Sequence, residues 1–122
     1  MNNKVFLIDI DGTICDDIKN EDSHLYTTAE HFPDALEKLN NWYDEGAHIT
    51  FFTARMEKDR LVTELWLKKH KFKYHGLVMD KPRCKDEQEY HWIDNRKVRA
   101  TQYLSKFTDL VSKDVNIEVF DD

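Results

Sequence analysis

The chain has 122 residues, enough for one domain with its own core and too few for two. Its apolar content of 40% and aromatic content of 12% exclude a disordered chain, and its net charge of -6 argues against a dedicated nucleic-acid binder. No apolar run approaches the roughly 20 residues that a membrane span needs, so no membrane partner is expected.

In chain order, the apolar run Val5–Ile8 reads as a buried, central parallel strand. Residues 14–30 look irregular and polar. Pro33 fits a first helical turn, Leu36, Leu39 and Tyr43 recur at helical spacing, and Gly46 fits the stop. His48–Phe52 is a second apolar strand that ends at Thr53. Residues 58–70 form a second amphipathic helix, predicted to face Leu61, Val62, Leu65 and Trp66 inward. Tyr74–Met79 is a third strand, and Tyr90–Ile93 a fourth that ends at Asp94. A third helix is expected over 96–106 and an edge strand over Asn116–Phe120. Strands alternating with helices predict a single α/β domain over residues 1–122 with a right-handed parallel sheet. The expected architecture is a Rossmann-like three-layer sandwich around about five strands, with no large cap domain.

The sharpest chemical signal is Asp9-Ile10-Asp11-Gly12-Thr13, directly after the first strand. Residues two apart on a strand point the same way, so Asp9 and Asp11 emerge side by side where the sheet ends. Two such carboxylates repel each other unless a cation or a proton sits between them. A divalent metal together with acid/base chemistry explains the pair economically. Sites in parallel α/β sheets form outside the carboxyl ends of the strands, where Asp11, Thr53 and Asp94 all fall. Arg55 either offers a planar fork to an anion or forms a surface salt bridge. Cys15 and Cys84 lack metal-site spacing, which suggests free thiols in a reducing cytoplasm. Cys15 lies near the site but reads as a small semi-buried residue. The N-terminus runs straight into the first strand, so no cleaved signal peptide is expected.

These segments resemble the four signatures of the haloacid dehalogenase (HAD) superfamily of phosphohydrolases, in order, over residues 4–105. The resemblance implies that Asp9 is the nucleophile that attacks phosphorus. Asp11 is then the acid for the leaving group and later the base for water. Thr53, preferred over Thr50, would bond a phosphoryl oxygen, and Lys81, preferred over Lys85, would offset the charge. Gly12, Thr13, Ala54 and Arg55 would line the substrate. Mg²⁺ would be held by Asp9, the Asp11 carbonyl and Asp94, although many relatives have a second acid where this chain has Asn95. The chain is also similar to small capless HAD phosphatases of polysaccharide biosynthesis, through Phe52-Thr53-Ala54-Arg55, Lys81-Pro82-Arg83-Cys84 and Ile93-Asp94-Asn95-Arg96. The phosphatase half of phage polynucleotide kinases has a related layout.

The expected partner is therefore a phosphorylated small molecule, a sugar phosphate first and a polynucleotide end second. Without a cap, the site is shielded either by a large substrate or by a lid from a neighbouring subunit in a homo-oligomer, and residues 14–30 are the flap candidate. A receiver-like signalling module would place its phospho-acceptor aspartate where this chain has Thr53. A phosphate-binding relative without turnover has no need to keep both Asp9 and Asp11. A glycosyltransferase fails on size. Of the six histidines, none has zinc-ligand spacing, and His24 and His31 lie where they could reach a substrate. The basic stretch Lys68–Lys73 suits a solvated helix end.

Overall fold

The computed structural model describes residues 3–103. The described residues fall into two units, one up to Pro82 and the other from Arg83 onward.

The first unit carries the sheet. Strands β1 (Val5–Ile8), β2 (His48–Phe52) and β3 (Gly76–Val78) lie in the order β1-β2-β3, all parallel. Leu7 sits opposite Thr50, and Phe51 opposite Leu77. Helix α1 (Pro33–Asp44) connects β1 to β2, and α2 (Arg60–Lys69) connects β2 to β3. The fold is thus α/β, with three strands among the described residues where about five were expected. The third strand is shorter than its apolar run. Only Gly76–Val78 pair with β2, and the flanking His75 and Thr53 amides close the ladder onto Ile49 and Val78 carbonyls.

Helix α1 begins as its sequence dictates. Pro33 fixes the first turn after an extended Phe32, and Asp34 suits the positive end of the helix. The chain leaves through Gly46, whose φ of 97° is a left-handed conformation that side chains resist. The buried stripe is Ala35, Leu39 and Trp42, and Phe6 of β1 stacks on Trp42 with ring centroids 4.4 Å apart. Helix α2 departs from expectation. Leu61 and Leu65 are 68% and 57% exposed, while Trp66 turns inward as expected, together with Thr63 and Leu67. Polar partners set this rotation. The Trp66 indole N–H donates to the Ala29 carbonyl at 2.9 Å, and the Thr63 hydroxyl finds acceptor and donor inside.

Residues 14–30 are also less irregular than their polarity suggests. Asn20–Thr28 form a 3₁₀ helix with Tyr26 buried. Ile14, Cys15, Ile18 and Ala29 are buried as well, so the segment carries its own share of core. Backbone bonds from Phe32 to Ile14 and from Asp16 to Glu30 pin its two ends together.

In the second unit, two expectations fail. Tyr90–Ile93 do not form a strand; Tyr90, Trp92 and Ile93 are 57%, 50% and 89% exposed. A strand is stabilised by ladder bonds to a neighbour and not by apolar composition alone. Residues 96–103 are not helical. The remainder of that helix, 104–106, and the edge strand over Asn116–Phe120 lie outside the described residues.

Candidate active site at the carboxyl end of the sheet

The site grows out of the strand ends. After Ile8 the chain alternates Asp9, fully buried Ile10 and Asp11, so the apolar residue anchors the turn between two acids. The amides of Thr13 and Ile14 both bond the Ile10 carbonyl, and the Gly12 amide bonds that of Cys15. Gly12 has φ of 79°, and a Cβ there would lie 3.2 Å from the Asp17 carboxyl carbon. Only glycine passes this corner without strain.

The two acids receive different partners. The Asp9 carboxylate takes the Lys81 ammonium on Oδ1 at 3.0 Å and the Thr13 hydroxyl on Oδ2 at 3.2 Å. Its side chain stays 37% exposed, open to a ligand from solvent. The Asp11 carboxylate is 13% exposed and faces Arg55, which donates from Nε to Oδ2 at 2.9 Å and from Nη2 to Oδ1 at 2.7 Å. Burial pushes the Asp11 carboxyl above its ordinary range; Arg55 opposes this, and the charges of Asp9 and Asp17 add to the rise. A carboxyl raised in this way is suited to carrying a proton and giving it up.

Thr53 closes β2 and is 1% exposed. Its hydroxyl oxygen accepts the Arg55 amide at 3.1 Å, and its carbonyl accepts the Lys81 amide at 2.9 Å. Thr53 thus holds the two basic residues that meet the two acids. Thr50 lies within β2 and its hydroxyl bonds the His48 imidazole at 2.8 Å, outside this group. The Ala54 carbonyl accepts the Asn20 amide at 2.9 Å, which ties the 3₁₀ segment to the loop after β2. Lys81 also lies 5.9 Å from the centre of the Phe52 ring. Lys85, its rival in sequence, belongs to the second unit.

Of the expected site residues, Asp9, Asp11, Gly12, Thr13, Thr53, Ala54, Arg55 and Lys81 all belong to the first unit. Arg55 is fully buried, so its fork serves Asp11 and Thr63 in place of the solvent-facing anion site or surface ion pair that were expected. Asp94 lies in the second unit and closes no strand. Its exposed carboxylate accepts the Trp92 indole N–H at 3.3 Å and the Arg96 amide at 3.2 Å, and these bonds hold its pKa down. Among the described residues no three His, Cys, Asp or Glu side chains are gathered around one point. Two acids against two bases nonetheless leave the site with no surplus positive charge for a phosphate dianion. The hard oxygens of the Asp9 carboxylate and Asp11 carbonyl are the donor type that Mg²⁺ takes.

Sequence reasoning missed Tyr26 and Thr63. The Arg55 guanidinium carbon sits 3.8 Å from the centre of the Tyr26 ring, and Nη1 donates to the Thr63 hydroxyl at 3.1 Å. A signal for Thr63 existed: it shares a helical face with Trp66 and Leu67, so a hydroxyl sits in an apolar stripe. Tyr26 gave none, being one aromatic in a polar stretch. Cys15 is buried, and burial followed by the Asp11 charge pushes its thiol up to about 12. Both cysteines are free thiols, as expected. His31 meets His70, Nδ1 to Nδ1 at 3.1 Å, and packs edge-on to Phe72. No described helix is long and apolar enough to cross a membrane.

Residues 6–117 match the model of the family described as PITM 1-3, LNS2 domain. No curated protein matches the chain. Among solved structures, a crystal structure from Vibrio cholerae aligns with 24% identity and a TM-score of 0.57 over 79% of this chain and 83% of that one. A chain of the Pnkp1/Rnl/Hen1 complex aligns with 19% identity and a TM-score of 0.55, over 70% of this chain and 30% of that one. The Pnkp1/Rnl/Hen1 RNA repair complex gives 19% identity and a TM-score of 0.56, over 70% and 27%. At these identities the likeness is one of fold. The chain spans less than a third of the Pnkp1 complex chains.

Proposed function

The chain belongs to the LNS2 domain family, and on that premise we propose that it is a HAD-type phosphatase that hydrolyses phosphomonoesters with Mg²⁺. One observation carries this reading: Asp9, half-open to solvent at the end of β1, is braced by Lys81 and Thr13, while Asp11 beside it is shielded and held by Arg55. A nucleophile must be reachable, and an acid/base must be oriented; the two carboxylates divide along that line. The family match over residues 6–117 supports reading residues 1–122 as one catalytic domain, and the three parallel strands support a Rossmann-like three-layer sandwich as its full form.

In the proposed reaction, an Asp9 oxygen attacks phosphorus in line with the ester oxygen. The P–O ester bond breaks as the Asp9–phosphorus bond forms, and Asp11 delivers a proton to the departing alcohol. Asp11 then takes a proton from water, whose oxygen attacks phosphorus and releases phosphate and the Asp9 carboxylate. A covalent intermediate on Asp9 divides one difficult displacement into two easier ones. Lys81 offsets charge on Asp9 and the phosphoryl oxygens. Thr53 is 1% exposed, so its part is to hold the Arg55 amide with its hydroxyl oxygen and the Lys81 amide with its carbonyl, in place of bonding a phosphoryl oxygen. Mg²⁺, held by the Asp9 carboxylate and the Asp11 carbonyl, would supply the positive charge that the two base–acid pairs lack. Gly12, Thr13 and Ala54 would line the substrate. Arg55 is not placed there, because it is buried.

The substrate we favour is a sugar phosphate or similar small phosphomonoester in the cytoplasm, with a polynucleotide 3′-phosphate second. The likeness to chains of an RNA repair complex motivates the second choice. The test is a Mg²⁺-dependent screen of sugar phosphates, nucleotides and a 3′-phosphorylated oligonucleotide. Turnover of the oligonucleotide alone reverses the order. Phosphate binding without turnover on any of them removes the enzyme reading in favour of a binding module.

A further inference from the structure

The buried guanidinium of Arg55 has a task that neither nucleophile nor phosphate chemistry explains. We propose that Arg55, seated on Tyr26 and tied to Thr63, is a positioning residue that fixes the Asp11 carboxylate in one orientation for proton transfer to the leaving group. This rests on the phosphatase reading above.

All three guanidinium nitrogens donate a hydrogen bond, and one face is covered by a ring. Nε and Nη2 donate to the two oxygens of Asp11, Nη1 donates to the Thr63 hydroxyl, and one planar face lies on the Tyr26 ring. The backbone is held too, with the amide on the Thr53 hydroxyl and the carbonyl accepting the Asp80 amide at 2.8 Å. A side chain with no solvent exposure is not a docking point for substrate. A residue kept only for stability has a cheaper alternative, since a buried ion pair gives little or nothing over an apolar pair of similar volume. The pair does have a geometric effect. Two parallel bonds from one planar fork stop rotation of the carboxylate, which a single ammonium does not do.

The supports are themselves oriented. The Thr63 hydroxyl donates to the Asp59 carbonyl at 2.8 Å, so its oxygen lone pairs are left for Nη1. The Tyr26 hydroxyl donates to the Asn20 side-chain oxygen at 3.2 Å, and Asn20 in turn donates to the Ala54 carbonyl. Three separate segments, the 3₁₀ helix, the exit of β2 and helix α2, therefore converge on one guanidinium, and that guanidinium meets one carboxylate. Placement errors of about 1 Å in a reacting group cost on the order of 10²-fold in rate.

The experiment compares Thr63→Val and Arg55→Lys with wild type on two esters, by kcat/KM, with thermal melting of each protein. p-Nitrophenyl phosphate has a leaving group that departs without a proton; phenyl phosphate has a more basic one that needs it. A misoriented Asp11 slows phenyl phosphate by about 10²-fold in Arg55→Lys and less in Thr63→Val, while p-nitrophenyl phosphate changes far less. Thr63→Val keeps the buried volume, so it remains informative if Arg55→Lys does not fold. Equal losses on both esters in Thr63→Val, or no loss on either, overturn the positioning role while the phosphatase reading stands. Failure of the wild type on both esters and on every phosphomonoester of the screen above overturns both.

Discussion

At the residue scale, Asp9 and Asp11 differ in exposure and partner, and their substitutions should differ accordingly. Asp9→Asn should abolish turnover with melting unchanged, because an amide does not attack phosphorus. Asp11→Asn should retain slow turnover, reduced by about 10²–10⁴ for a lost acid/base. Steady-state kinetics on phenyl phosphate, whose leaving group needs a proton, check both, and full activity of Asp9→Asn would sink the mechanism. The cysteines give a second prediction. Cys84 is exposed, whereas Cys15 is buried with its thiol pushed up to about 12. Thiolate, not thiol, attacks a disulfide reagent. Titration with such a reagent should find one fast thiol in the native protein and a second only after denaturation. Two fast thiols would contradict the burial of Cys15.

At the element scale, helix α2 reverses the face its leucines suggest. Leu67 is fully buried and Leu61 and Leu65 are not. Leu67→Ala should cost about 2–5 kcal/mol of folding free energy. Leu61→Ser and Leu65→Ser should each lie within about 0.5 kcal/mol of wild type. Urea melts measure all three, and a large loss for Leu61→Ser would move the helix back to its expected rotation. At the C-terminus of the same helix, His70 faces His31, with Lys69 adjacent. Burial first, then the charges of His31 and Lys69, lower its pKa below the ordinary 6.5. The unfolded chain then binds the proton more readily than the folded one. The contribution of His70 to stability is complete above 6.5 and is lost as pH falls through 6.5 toward the lower folded value. His70→Gln should flatten that part of the stability profile, and an unchanged slope would refute the assignment.

At the scale of the whole molecule, two carboxylates facing two bases form a site balanced until a phosphate dianion arrives. Chelation should therefore stop turnover, and Mg²⁺ should restore it. Activity undiminished in chelator would remove the metal from the proposal.

Much of the candidate site was legible in the sequence, because local spacing enforces it. Asp9, Gly12 and Thr13 belong to one strand end and one turn, so their neighbourhood is fixed by the backbone that joins them. Thr53 and Lys81 were legible through strand ends, since parallel strands bring their carboxyl termini to one edge of a sheet. Helix α1 was bounded by Pro33 and Gly46, which restrict φ wherever they occur. What sequence did not determine was the choice among partners. Arg55 had a carboxylate, an anion or solvent to choose from, and only the convergence of Tyr26, Thr63 and Asp11 made burial its lowest-energy state. Helix α2 had two candidate faces, and Trp66 and Thr63 chose by finding partners on segments far away in sequence. Tyr90–Ile93 had strand composition, but a strand exists only beside another, and pairing is a property of the tertiary structure rather than of the residues that enter it.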